Sequence, residues 1–307
     1  MKQARHNIAF SLERVAQNHP NQTAITESHT GTSISFKELD DESSRIASGL
    51  NQYGFKKGDR VLLFIPFSIK FISVAFALFK AGAIPILIDP GLGKKNFLRC
   101  IKKTEARGII AAPAVHLALM FFQKYFRNLK HRVTTNSCWF WKGCTLRDID
   151  NMAKPSFTYD DTFPNDPAAI LFTSGSTGSP KGVVYTHEMF SRQLEVLRSC
   201  YKIQFGEIDL STFPLFSLFG VGIGMTSILP QMDFTRPAKV DPEKILNTIT
   251  QYKVTSGFGS PALWDTISRY CISNNQHLPS LNRILMAGAP IPGSLIERFD
   301  HILTPKA

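Results

Sequence analysis

Three short apolar runs, VLLFI (61–65), IPILI (84–88) and GIIAA (108–112), alternate with stretches of helical periodicity, and this alternation does most to limit how the chain can fold. Near-continuous apolar runs of this length suit strands covered on both faces, as in a parallel sheet. Between the first two runs, Pro66 is placed to open a helix whose Ile69, Ile72, Phe76 and Phe79 share one face, and Gly82 to cap its end. Between the second and third, Phe97, Leu98 and Ile101 mark another helix. Upstream, Ser35 as N-cap and Glu38 at N3 form a capping box, with Ile34 and Leu39 as its hydrophobic staple. The helix they start carries Leu39, Ile46, Leu50 and Tyr53. Residues 128–165 are polar and irregular, with Pro155 and Pro164, and are expected to be a connection or insertion. The alternation then resumes. Thr186 would cap a helix bearing Phe190, Leu194, Leu197 and Tyr201, Asp241-Pro242 and Ser260-Pro261 would start two more, and 254–259 and 281–290 are strand-like. The expected fold class is α/β, doubly wound, with mostly parallel sheets and flanking helices. The organisation expected from sequence is a first subdomain over 1–165 and a second over 166–307.

A strand-like AAILF run leads into residues 171–183, LFTSGSTGSPKGV, which hold three glycines, five hydroxyl residues and one lysine. Gly175, Gly178 and Gly182 allow backbone conformations in which several N–H groups converge on one anion. Thr173, Ser174, Ser176, Thr177 and Ser179 add hydroxyl donors. Lys181 adds a cation suited to a polyphosphate. Pro180 and Gly182 flank the lysine, so this is not the Walker A loop, and the dinucleotide fingerprint does not fit either. A phosphate-wrapping loop and a solvated Gly/Ser turn both remain open on composition.

With 43% hydrophobic and 19% charged residues the composition is that of a globular protein. The N-terminal stretch lacks an export-type apolar core and cleavage site. Five scattered cysteines, Cys100, Cys138, Cys144, Cys200 and Cys271, suggest reduced thiols in a cytoplasmic setting. His187-Glu188 begins like a zinc-protease helix, but Ser191 stands where the second histidine would be needed, and no other metal-ligand spacing is present. Between Lys94 and Arg147, twelve Lys or Arg stand against one acid, Glu105, which equals the net charge of +11 of the whole chain. This segment also holds the apolar stretch HLALMFFQKYF (116–126). It is either an ordinary solvated face or a docking surface for an anionic membrane, an acidic carrier or partner protein, or an acyl chain. No nucleic-acid recognition motif accompanies the charge.

The 171–183 stretch resembles the signature loop of the adenylate-forming superfamily, which includes acyl-CoA synthetases, luciferases and peptide-synthetase adenylation domains. The resemblance extends along the chain. ISFKEL (34–39) and LFKAGAIPILIDP (78–90) resemble early structural motifs of that superfamily and are taken as scaffolding. FPLFSLFGVG (213–222) resembles the segment lining its carboxylate and acyl pocket, and MAGAP (286–290) the turn that lies against adenine. A small residue, Ser217, stands where many acyl-CoA synthetases have histidine. Together with 226–242 and FGSPALW (258–264), it makes the chain similar to the β-lactone synthetases of bacterial olefin biosynthesis.

This resemblance implies an ATP-dependent, acid-activating ligase. Lys181 and Thr177 would be catalytic. Thr173, Ser174, Gly175, Ser176, Gly178, Gly288, Ala289 and Pro290 would join them in holding the nucleotide. Phe213, Phe216, Ser217, Phe219, Gly220, Gly259 and Ser260 would line the substrate pocket, with Phe258 and Trp264 either in that channel or plain core. ATP and magnesium are the implied cofactors and a long-chain, 3-hydroxy fatty acid the implied substrate. Coenzyme A enters only if the product is a thioester. The superfamily continues into a further acidic motif and a small C-terminal domain with a catalytic lysine. The chain is therefore expected to be a truncated large N-terminal domain that ends before the acidic motif and lacks the small domain, and the alternative to an active ligase is a fragment that binds nucleotide or a surface and catalyses nothing.

Overall fold

The computed structural model describes residues 5–126, 128–137, 143–155, 157–173 and 180–303, with only the backbone of Pro90, Lys124 and Thr173. The chain forms two compact units: residues 1–17 with 37–195, and residues 18–36 with 196–307. The division differs from the boundary drawn at 165/166. Chain order misleads here because strands after 165 pair within the first unit and an early hairpin belongs to the second.

The first unit begins with α1 (Phe10–Asn18), while β1 (Thr23–Glu27) and β2 (Ser33–Ser35) leave for the second unit. The chain then continues through α2 (Phe36–Tyr53), β3 (Arg60–Phe64), α3 (Ile69–Lys80), β4 (Ile84–Ile88), α4 (Lys94–Thr104), β5 (Gly108–Ala111) and α5 (Pro113–Phe121). Next come β6 (His131–Thr134), β7 (Cys144–Thr145), α6 (Leu146–Asn151), β8 (Pro167–Thr173), β9 (Lys181–Thr186) and α7 (His187–Cys200). The sheet order is β7-β6-β5-β3-β4-β8-β9. All neighbours are parallel except β8 and β9, so β9 is an antiparallel edge strand. The three apolar runs thus become three adjacent central strands, as parallel pairing demands.

Helix α3 is buried on every side from Phe71 to Lys80, as its uniformly apolar sequence requires. It starts later than expected from Pro66. Ser68 is the N-cap, its hydroxyl accepting the Phe71 N–H at 3.3 Å, and Pro66 lies outside, accepting a bond from that same hydroxyl. Its end is as expected. Gly82 takes φ +62°, the Ala83 N–H donates to Leu78 O at 2.9 Å, and the Gly82 N–H donates to Phe79 O at 3.0 Å. This pattern satisfies the last carbonyls of the helix and turns the chain directly into β4.

Lys80, at 0% side-chain exposure, donates from Nζ to Asp40 O and Asp40 Oδ1 at 2.7 Å and to Ser44 Oγ at 2.8 Å, so all three ammonium protons are used. Burial pushes the Lys80 pKa down, and the Asp40 carboxylate opposes that shift. The pair joins the end of one sequence motif, 34–39, to the other, 78–90, and gives their scaffolding role a physical content.

Residues 128–165, expected to be irregular, contain β6, β7 and α6. The strands are short and lie at the sheet edge, where HRVT and CT carry no apolar run to signal them. The Thr145–Asp148 capping box that starts α6 was available in the sequence: the Thr145 hydroxyl accepts the Asp148 N–H at 3.1 Å, and the Asp148 carboxylate accepts the Thr145 N–H at 2.8 Å.

The second unit adds β10 (Ile208–Ser211), α8 (Pro214–Ile223), β11 (Thr226–Leu229), α9 (Pro242–Tyr252), β12 (Ser256–Gly259), α10 (Pro261–Ser273), β13 (Arg283–Met286) and α11 (Gly293–Ile302). Its sheet order is β13-β12-β10-β11-β1-β2, parallel throughout except for β2 at the edge. Helices α9, α10 and α11 close over one side of this sheet around Leu210, Ile228, Ile249, Leu263, Trp264 and Phe299. The expected N-caps are in place. Asp241 Oδ1 accepts from the Glu243 N–H at 3.1 Å, Ser260 Oγ from the Leu263 N–H at 3.2 Å, and Thr186 Oγ1 from the Met189 N–H at 3.2 Å. Among the described residues no helix is long and apolar enough to cross a membrane.

Candidate functional site

Every candidate segment lies at the carboxyl end of a parallel strand, the edge where open α/β sheets bind ligands. In the first unit, β8 pairs in parallel with β4 through Ile86–Ile170, Leu87–Leu171 and Ile88–Phe172, and its carboxyl end runs into the glycine-rich stretch. Ser174, Gly175, Ser176, Thr177 and Gly178 lie outside the described residues, and so does Ser179. On either side, Thr173 pairs with Lys181 in the antiparallel β8–β9 ladder, so the stretch is the connection of a hairpin. Pro180 is buried, while Lys181 is exposed and takes part in no ion pair among the described residues.

Gly182 has a different role from the one composition suggested. A Cβ there would lie 2.9 Å from Phe172 Cζ and 3.2 Å from its Cε2, so a side chain at this position would push the Phe172 ring out of its packing across the hairpin. His187 is structural. It is 1% exposed, its Nδ1 accepts the Ile8 N–H at 3.2 Å, and burial lowers its pKa to about 4. Among the described residues no three His, Cys, Asp or Glu side chains cluster as metal ligands.

In the second unit, segments 212–220 and 287–290 follow the carboxyl ends of β10 and β13, and 258–260 spans the carboxyl end of β12, the strand between them in the parallel sheet. Direct bonds tie them together. Thr212 Oγ1 donates to Phe258 O, and the Ala287 N–H donates to Gly259 O at 3.3 Å. Phe216 stacks on Phe258 with ring centroids 4.3 Å apart and planes within 9°, and Phe213 meets the same ring at 5.9 Å. Phe213 is 46% exposed whereas Phe216 and Phe219 are buried, so the aromatic group opens to solvent at its Phe213 end.

Ser217 is fully buried on α8 with no hydrogen-bond partner for its hydroxyl among the described residues. A Cβ at Gly220 would be 3.6 Å from Ser227 Oγ, an ordinary contact, which places α8 over that serine without making glycine necessary. At Gly259 a Cβ would be 2.6 Å from Leu263 Cδ2 and 2.8 Å from Trp264 Nε1, so any side chain there would force these two core residues to shift. Ser260 is committed to capping α10. Trp264 lies wholly inside the core under α9–α11, edge-on to Phe299, and is core. Gly288 has φ +96°, and a Cβ there would meet nothing within 4 Å; it forms an open, exposed turn together with Ala289 and Pro290.

A polar row beneath this site escaped sequence reasoning. Asp209 on β10 pairs in register with Ser227 on β11 and Ser256 on β12, so the three side chains share the face that α8 covers. All three are 0% exposed, and Asp209 Oδ1, Ser227 Oγ and Ser256 Oγ have no hydrogen-bond partner among the described residues. Ser211 Oγ donates to Asp209 Oδ2 at 2.7 Å. Burial is the largest cause raising the Asp209 pKa to about 7, and the Ser211 bond opposes it. The only available sequence signal was polar residues at alternate positions in otherwise apolar strands.

Both units are open α/β sheets with candidate segments at the carboxyl edge, the place where sheets of this architecture bind ligands. The chain belongs to the AMP-binding enzyme family, which it matches over residues 12–306. It is 39% identical over 311 residues to an olefin β-lactone synthetase of Xanthomonas campestris, covering 98% of this chain and 55% of that protein. It is 35% identical to the olefin β-lactone synthetase of Stenotrophomonas maltophilia, covering 98% of this chain and 56% of that one. The chain therefore spans about half the length of the curated relatives it matches. The fold is that of the N-terminal domain of FACL13 from Mycobacterium tuberculosis, with a TM-score of 0.81 and 21% identity over 96% of this chain and 73% of that one.

Proposed function

We propose that this chain is the acid-activating part of a β-lactone synthetase, one that converts a long-chain 3-hydroxy fatty acid to its acyl adenylate and then closes it. The observation that carries the reading is the 39% identity to an olefin β-lactone synthetase over 98% of the chain. Ser217 at the position of many acyl-CoA synthetase histidines agrees with it.

In the first step, a carboxylate oxygen of the acid attacks the α-phosphorus of ATP, the new O–P bond forms, and the bond to pyrophosphate breaks. The acid is already ionised near neutral pH, so no general base is needed. The chain's task is to hold two anions together and to stabilise the leaving pyrophosphate. Lys181, exposed and outside any described ion pair, supplies a cation beside the hairpin connection, whose hydroxyls and N–H groups add donors. Thr177 is assigned the central hydroxyl. Gly288, Ala289 and Pro290 would lie against adenine, in a turn open enough for a flat ring. Magnesium would compensate phosphate charge when bound with the nucleotide, an ion that commonly rides on substrate phosphates with few protein ligands. In the second step, the substrate's 3-hydroxyl oxygen attacks the acyl carbonyl, the C–O bond of the lactone forms, AMP leaves, and the hydroxyl proton goes to solvent.

The test is pyrophosphate exchange and product analysis on the full-length protein with a 3-hydroxy fatty acid, with and without coenzyme A. Lactone formed without coenzyme A is expected. A thioester formed only with it would replace the reading with an acyl-CoA ligase. Lys181→Ala is expected to slow exchange about 10²–10³-fold, the loss typical of one preorganised donor of about 2.7–4 kcal/mol. Unchanged exchange would remove Lys181 from the mechanism.

A further inference from the structure

Helix α5 has one face committed to the core and one left bare. His116 and Leu119 are buried on it, and Leu119 joins the apolar core of the first unit, with Val115 and Phe122 packed against that core. On the other side Leu117, Met120 and Phe121 recur at i, i+3 and i+4, which is one stripe of a helix. They are 43, 60 and 80% exposed, and Phe121 is the most exposed large apolar side chain among the described residues.

The chain segment that holds this stripe carries charge of almost one sign. Nine of the twelve Lys and Arg between 94 and 147 have described side chains: Lys94, Lys95, Arg99, Lys102, Lys103, Arg107, Lys130, Arg132 and Arg147. All nine are exposed. Arg107 is paired with Asp59, and the segment's one acid, Glu105, is paired with Arg60. None of the other eight takes part in an ion pair among the described residues. Lys95, Arg99, Lys102 and Lys103 lie along the outer side of α4, whose inner side buries Cys100, Ile101 and Thr104. Helices α4 and α5 meet where Lys94 Nζ sits 4.9 Å from the centre of the ring of Phe122, the residue that caps α5 directly after Phe121.

We propose that the α4–α5 face docks on an anionic lipid bilayer. Apolar side chains that project from a helix end would enter the acyl boundary, while the surrounding lysines and arginines remain at the level of the headgroups. Each cation near such a surface adds roughly 1 kcal/mol of attraction, so the five on α4, Lys94, Lys95, Arg99, Lys102 and Lys103, none of them in a described ion pair, favour an extended anionic surface. A protein partner would meet the same stripe with a complementary apolar cleft and would need few of these charges. Because no described helix is long and apolar enough to cross a membrane, the docking would be peripheral.

The test uses the full-length protein in flotation with vesicles of phosphatidylcholine alone and with about 30% phosphatidylglycerol. Binding to the anionic vesicles and release by about 0.5 M salt are expected, since exposed charges are screened at that strength. The double variant Met120→Asp/Phe121→Asp, and separately Lys95→Glu/Arg99→Glu/Lys102→Glu, should each lower vesicle binding at least about tenfold. Both should keep the parent melting temperature and the parent exchange rate on a short, water-soluble acid. Equal binding to both vesicle types, or binding that neither variant weakens, would overturn the proposal. So would a Met120→Asp/Phe121→Asp protein that changes from oligomer to monomer with vesicle binding intact, which would assign the stripe to a second copy of the chain.

Discussion

The two units use the same architecture, parallel strands with one antiparallel edge strand and helical crossovers, yet one buried polar cluster in each is built differently. In the first, the buried Lys80 ammonium spends every proton on Asp40 and Ser44. In the second, Asp209, Ser227 and Ser256 sit in one register row with oxygen atoms that bond to nothing described. A satisfied buried pair is a structural joint, because removing either partner leaves an unpaired charge. An unsatisfied row lies under the helix that carries the candidate acyl pocket, and costs stability where it stands. The contrast is between a fastened joint in the first unit and a polar row beneath the candidate site of the second.

The largest expected effect breaks the fastened side. Asp40→Ala leaves Lys80 buried without its carboxylate and should lower stability by about 3–5 kcal/mol in urea unfolding. A loss below about 1 kcal/mol would show that the pair is not a joint.

Asp209→Asn tests the other side, with the opposite sign. A carboxyl raised from 3.8 to about 7 is protonated in the fold and ionised in the unfolded chain between those values, so the parent should lose stability as pH rises through that window. The variant lacks that slope and should be the more stable by about 2–4 kcal/mol at pH 8, with near-equality at pH 4. Parallel stability curves for the two proteins from pH 4 to 8 would refute the assignment.

Gly259→Ala forces a Cβ into Leu263 and Trp264 and should cost about 1–3 kcal/mol. If it also alters acid selectivity while Gly220→Ala does not, the close approach of the backbone at 259 shapes the pocket. Ser260→Ala should cost only about 1 kcal/mol, the value of one N-cap, with no change in exchange rate. A change in exchange rate out of proportion to that loss would make Ser260 a substrate contact as well as a cap.

What was legible in the sequence follows from burial. Strands β3, β4 and β5 announced themselves because a strand covered on both faces must be apolar throughout, whereas β6 and β7, at the sheet edge, have no such requirement. Caps were legible because Asp241, Ser260 and Thr186 act within three residues of themselves. The Asp40–Lys80 joint was not, since nothing local couples positions forty residues apart, although a lysine closing the run VAFALF was a clue that it had a partner. The same locality explains the candidate site. Motif resemblance marked the segments, and the sheet supplied their common place at the carboxyl edge of β10, β12 and β13. The polar row stayed hidden because each member is a single serine or aspartate in its own strand, and only register aligns them. The unit boundary was hidden for the same reason.

The early departure of residues 18–36 to the second unit also sets an order of assembly. β1 pairs with β11, Ile25 opposite Ser227, a separation of 227 − 25 = 202 residues. During synthesis at about 5–20 residues per second, β1 must wait roughly 10–40 seconds for that partner to emerge. Its one early companion is β2, and a lone two-stranded hairpin is marginal in water. The first unit can therefore complete its sheet as soon as β9 has left the ribosome. The hairpin of the second stays open until β11 arrives, a period in which chaperones or neighbouring nascent chains can reach its unpaired edge.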